Sequence, residues 1–212
     1  MSKMGSTSLY DFFVCSGIKA NHWSTARQGE SGLCMLRANQ QGQPMLSSCD
    51  SWSMDVWRSW LRGIRWGDRG AEAFLQMDYS GKYGNCIFPQ VQLLDQIHWE
   101  APNATFILNF RPINDWARSV KTWSPLDLGT LGSRLLKCDL PMLPVGKGNS
   151  TEDLLVWWCW HVKRIRSFVA QYPSHALVEL DLYDDRNAEI MAGLFDSRPS
   201  CWGNSNTNAS LS

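Results

Sequence analysis

The chain has 212 residues, with 20 basic and 20 acidic side chains and so no net charge at pH 7. That balance leaves no electrostatic footprint for nucleic acid or an anionic membrane. No run of about 18 apolar residues occurs, so nothing reads as a bilayer span, and the opening residues do not read as a signal peptide.

With 44% hydrophobic and 19% charged residues, the chain is expected to fold as a single domain over residues 1–212. The seven cysteines (15, 34, 49, 86, 138, 159 and 201) are odd in number, scattered and without a Cys-x-x-Cys pair. No metal site is expected from them, and reduced thiols are the default reading. Asn103-Ala-Thr, Asn149-Ser-Thr and Asn208-Ala-Ser are glycan-acceptor triplets that often arise by chance; they would matter only in a secretory lumen.

Taken in chain order, Lys3-Met4-Gly5-Ser6-Thr7-Ser8 is a Gly-Ser-Thr turn running into the apolar segment Leu9–Val14. Gly5 suits positive φ and close backbone approach. Lys3 adds charge, while Ser6, Thr7 and Ser8 stand where a helix N-terminus offers N–H groups to an anion. The same turn is also a common structural helix start. A short helix is expected over Leu9–Gly17, then a strand beginning near Asn21-His22-Trp23. The Gly/Ser/Gln stretch 28–48 carries loose patterning. Ser53–Ile64 places Val56, Trp57, Trp60, Leu61 and Ile64 on one helical face.

A short strand is expected over Ala73–Asp78, and a helix begun by Pro89 and ending at Trp99. Ala104–Phe110 reads as a buried central strand. Arg111 leaves it at the carboxyl end, where open α/β folds bind ligands. Asn114 or Asp115 would cap the next helix, with Ile113, Trp116, Val120 and Trp123 buried and Ser119 one to two turns in. The loop Ser124–Asn149 is weakly patterned. Ser150-Thr-Glu-Asp153 resembles a capping box opening a long helix to Gln171, with Leu154, Leu155, Trp158, Val162, Ile165 and Phe168 inward. Lys163, Arg164 and Arg166 fall on its polar side. Ala176–Leu182 reads as a strand and Asp184–Phe195 as the last helix. Alternating strands and helices predict an α/β fold, a parallel sheet with helices on both faces. His98, His161 and His175 lack ligand spacing and read as structural.

The order Lys-x-Gly-Ser-Thr-Ser-Leu and helix, then an apolar strand ending in Arg-Pro-x-x-x-Trp-x-x-Ser, resembles the sulfotransferases, which share the P-loop NTPase-like fold. The resemblance implies that Lys3, Gly5, Ser6, Thr7 and Ser8, within residues 1–8, hold the 5′-phosphosulfate of 3′-phosphoadenosine 5′-phosphosulfate (PAPS). It implies that Arg111 and Ser119, within residues 104–119, bind the 3′-phosphate. The family's loop follows a central strand and carries a Pro where this chain has Ser2. Only Met1 and Ser2 precede Lys3, so an N-terminally truncated version of the fold is expected.

Sulfuryl transfer needs donor clamps, charge stabilisation at the leaving phosphate oxygen and a base for the acceptor. Lys3 and the helix N-terminus would supply the first two without metal. Asp78, expected at a strand end, and His22, after the first helix, are rival bases; a turn-capping Asp and a structural His are the plain alternatives. The reading is transfer from PAPS to a hydroxyl or amine of a carbohydrate or small-molecule acceptor, with no nucleic-acid partner. Alternatives are an inactive relic or binding module of the same fold and, opposed by the absence of a Gly-Lys-Ser/Thr pair, a nucleotide kinase. A cytoplasmic location is the default, with a Golgi lumen the alternative if an N-terminal anchor is missing from this chain.

Overall fold

The computed structural model describes residues 4–22, 31–49, 71–81, 83–124 and 129–203. They divide into two compact units, one drawn from residues 5–77 and 185 onward, the other from Met4 and residues 78–184.

The first unit opens with α1 (Ser6–Cys15), and Gly5 before it is left-handed at φ 80° and ψ 22°. A side chain there would meet the carbonyl that makes this region costly for L-residues, so Gly fits where others strain. Leu9, Phe12 and Phe13 form the buried side of the helix. The rings of Phe12 and Phe13 meet that of Phe195 at 6.1 and 5.1 Å. β1 (Ala20–Asn21), α2 (Ser31–Gln40), α3 (Met45–Cys49) and β2 (Ala73–Phe74) follow. β1 and β2 pair in parallel, Ala20 opposite Ala73. The strand expected over 73–78 is thus only two residues long. The weakly patterned stretch 28–48 is, where described, two helices rather than loop, fastened by Cys34–Cys49. The expected helix 53–64, with Trp57 and Trp60, lies outside the described residues.

The second unit begins with an antiparallel hairpin, β3 (Tyr79–Ser80) and β4 (Cys86–Ile87). Then come α4 (Pro89–Gln92), α5 (Leu94–Glu100), β5 (Thr105–Phe110), α6 (Ile113–Thr122), α7 (Leu131–Leu135), α8 (Thr151–Gln171) and β6 (Ala176–Asp181). β5 and β6 pair in parallel over all their length, from Thr105 opposite Ala176 to Phe110 opposite Asp181. Parallel partners need a long crossover, and here α6, α7 and α8 supply it. Its inward faces build the core: Trp116 and Val120 from α6, Leu131 and Leu135 from α7, Leu154 and Trp157 from α8, with Phe88 before α4. The ring of Trp157 lies 5.9 Å from Phe88 and 6.5 Å from Trp116. The chain then re-enters the first unit with α9 (Asn187–Leu194) and a 3-10 turn, Pro199–Cys201.

The molecule is therefore mixed α/β. Among the described residues the expected single parallel sheet is three two-stranded pieces, two of them parallel. The helix expected over 89–99 is broken at Leu93 (φ −127°), with Val91 and Leu94 both buried across the break. α6 is not capped by Asn114 or Asp115. Pro112 stands at the N-cap with φ −49° and ψ 126°, and no side-chain cap hydrogen bond is made there. Asp115 instead sits in the first turn, 3.3 Å from Arg118. α8 starts as expected, with Ser150 Oγ accepting from Asp153 N at 3.0 Å. The Asp153 carboxylate reaches back past the cap to the Gly148 N–H at 3.3 Å. Trp157 and His161 are buried, while Leu155 is exposed and Trp158 half-buried.

Six of the seven cysteines are not reduced thiols. Cys15–Cys201, Cys34–Cys49 and Cys86–Cys138 are disulfides, and Cys159 on α8 is exposed and unbonded. Sequence separations of 186, 15 and 52 residues hide pairs whose Cα atoms lie 5.4–5.9 Å apart, the span a disulfide bridges.

Candidate functional site

In the first unit the Gly-Ser-Thr turn does open a helix. Ser6, Thr7 and Ser8 form the first turn of α1, so their N–H groups have no acceptor within the helix. The first turn of α1 carries no acidic residue of its own. Lys3 lies outside the described residues. His22 stands directly after β1, its Nε2 3.3 Å from Ser6 Oγ and its ring 5.1 Å from that of Tyr10. Ser6 Oγ is also 3.1 Å from Gln76 Oε1. Gln76 has φ 48°, a left-handed backbone unusual for a residue other than glycine.

One hydroxyl proton serves two neighbours here. When Ser6 donates to Gln76 Oε1, His22 must donate through Nε2–H. Gln76 thus orients the Ser6 hydroxyl that His22 faces. Sequence reading missed it, because a lone Gln after a two-residue strand carries no signal.

Gly5, Ser6, Thr7, Ser8 and His22 thus come together in one unit. Asp78, Arg111 and Ser119 belong to the other. Asp78 does not end a strand; it is the residue before β3, 6% exposed. Arg111 follows Phe110, the last residue of β5, at the strand's carboxyl end as the sequence led one to expect, and it is half-buried. Ser119 lies in α6, also half-buried. A buried arginine unremarked in the sequence, Arg134 of α7, donates from Nη1 to Ser80 O at 3.3 Å. Its guanidinium lies 5.3 Å from the centre of the Trp123 ring.

The remaining histidines serve the fold. His175 Nδ1 donates to Ala104 O at 3.0 Å, so its Nε2 accepts from His98 Nδ1–H, also at 3.0 Å. His161 is 3% exposed, and its Nδ1 has no hydrogen-bond partner among the described residues. Burial, together with nearby positive charge that includes Arg164, pulls its pKa down to about 3. The ion pair of Arg166 and Glu179 holds the Glu179 carboxyl below its ordinary range.

Among the described residues no group of three or more His, Cys, Asp or Glu is placed to hold a metal. No helix among them is long and apolar enough to cross a membrane. Compared with protein-family models, curated proteins and solved structures, the chain matches none of them.

Proposed function

We propose that the chain is a sulfotransferase-like protein that binds PAPS and moves its sulfuryl group to a hydroxyl or amine of a carbohydrate or small-molecule acceptor. The observation that carries this reading is the left-handed Gly5 opening α1 on three hydroxyl residues, with an imidazole 3.3 Å from the first of them. Backbone N–H groups, hydroxyls and a helix N-terminus are the donor set a sulfate or phosphate group requires. When bound, PAPS supplies a sulfuryl group already activated by its phosphate leaving group.

The chain's residues would then do the rest. Gly5, Ser6, Thr7 and Ser8, with Lys3, orient the phosphosulfate and stabilise charge on the leaving oxygen. Arg111 and Ser119 hold the 3′-phosphate, Arg111 by a charge-assisted contact. His22 or Asp78 takes the acceptor's proton. The place of the imidazole beside the turn, 3.3 Å from Ser6 Oγ, supports His22. Asp78 needs an acceptor to reach a nearly buried carboxylate.

The test is calorimetry with 3′-phosphoadenosine 5′-phosphate and with ATP. The first should bind more tightly, and Arg111→Ala should remove about 1.5–3 kcal/mol of that preference. Equal or reversed affinities overturn the assignment.

A further inference from the structure

Six of the seven cysteines are paired in disulfides. Glutathione and thioredoxin keep cytosolic thiols reduced, whereas such bonds form and persist in secretory and extracellular compartments. Two of the three Asn-x-Ser/Thr triplets fall on described residues, and in both the asparagine is exposed. Asn103 sits in the turn between α5 and β5, closed by Ala104 N donating to Ala101 O at 3.1 Å. Its partner hydroxyl, on Thr105, is exposed at the first position of β5. Asn149 lies in the bend before the Ser150 cap, and Thr151 Oγ1 accepts from Lys121 Nζ at 2.9 Å. Neither asparagine belongs to the core, so a large polar substituent on either displaces no apolar packing.

We propose that the chain matures in an oxidising secretory lumen and carries N-linked glycans on Asn103 and Asn149. The disulfides supply the compartment and the exposed triplets supply the acceptors. In the transfer, the amide nitrogen of each asparagine attacks the anomeric carbon of a lipid-pyrophosphate-linked oligosaccharide. The new C–N bond replaces the bond from that carbon to the pyrophosphate oxygen. The lipid pyrophosphate leaves, one amide proton is lost to base, and nothing is oxidised or reduced. Neither asparagine is among the residues assigned to the nucleotide, so this inference stands apart from the sulfotransferase reading.

The experiment is translation of the full chain behind a cleavable secretion leader, with and without microsomes. Protease protection marks the imported chain, endoglycosidase its glycans, and non-reducing electrophoresis its disulfides. The imported chain should be oxidised and should lose mobility steps on endoglycosidase treatment. Asn103→Gln and Asn149→Gln should each remove one step. Thr105→Val, which keeps the asparagine and a β-branched strand residue, should remove the same step as Asn103→Gln. A protected chain whose mobility is unaffected by endoglycosidase, or by either asparagine substitution, overturns the corresponding acceptor. A protected chain that stays reduced overturns the assignment to an oxidising lumen.

Discussion

Protonation of His161 should set the acid limit of stability for the unit that contains it. The imidazole is buried on α8 and its pKa falls from 6.5 to about 3, burial being the main cause. Between those values the unfolded chain binds a proton that the folded chain refuses, so stability falls as pH falls through this window. From pH 7 to pH 5 that difference is worth on the order of 2 kcal/mol, since each unit of pKa separation is about 1.4 kcal/mol. Urea unfolding at pH 7, 6 and 5, with disulfides intact, should show this loss in the native chain. His161→Leu keeps an apolar group of similar size and removes the proton site. Its stability should fall less over the same range, by about the same 2 kcal/mol, while other titrating groups cancel in the comparison. Parallel pH curves for the two proteins would refute the reasoning, because the imidazole would then bind protons equally in both states.

Three further outcomes are expected. Where transfer activity is measurable, His22→Gln should lower turnover about 10²–10⁴-fold if the imidazole is the base, with nucleotide affinity little changed; if Asp78→Asn does so instead, the carboxylate takes the role. Gly5→Ala forces a Cβ into φ 80° and should cost about 1–2 kcal/mol, read as a lower Tm together with weaker binding of 3′-phosphoadenosine 5′-phosphate; unchanged binding would separate the turn from the ligand. Replacing Cys86 and Cys138 by Ala opens a closure of 52 residues and should cost about 4 kcal/mol on the chain-entropy account, measured by denaturant midpoint against the native protein.

Local chemistry made part of this structure readable. The β-branched and aromatic run before Arg111 is a strand, and Ser150 caps α8 with its own hydroxyl, because both depend on neighbours a few residues away. The inward face of α8 was harder. The apolar stripe allows either Leu155 or Trp157 to face inward, and the choice falls to Trp157 through the rings of Phe88 and Trp116, which come from other elements. The break at Leu93 answers similarly to burial of both Val91 and Leu94. Disulfide pairing lies further from local reach, since seven scattered cysteines allow many pairings and only the fold brings particular Cα atoms together. Within the candidate site, the glycine turn and Arg111 carry recognisable residue types. The contact of Ser6 with Gln76 and His22 joins positions 70 and 16 residues away and has no sequence signature.

The Cys15–Cys201 bond changes what a single cut does to this chain. Cys15 and Cys201 belong to a unit whose two stretches are separated in sequence by residues 78–184. A protease that nicks the backbone once anywhere between them makes two fragments, yet these stay one covalent molecule until a reductant arrives. Both halves of the interrupted unit then remain at high effective concentration, so such a nick is silent on a non-reducing gel and visible only once the thiols are freed.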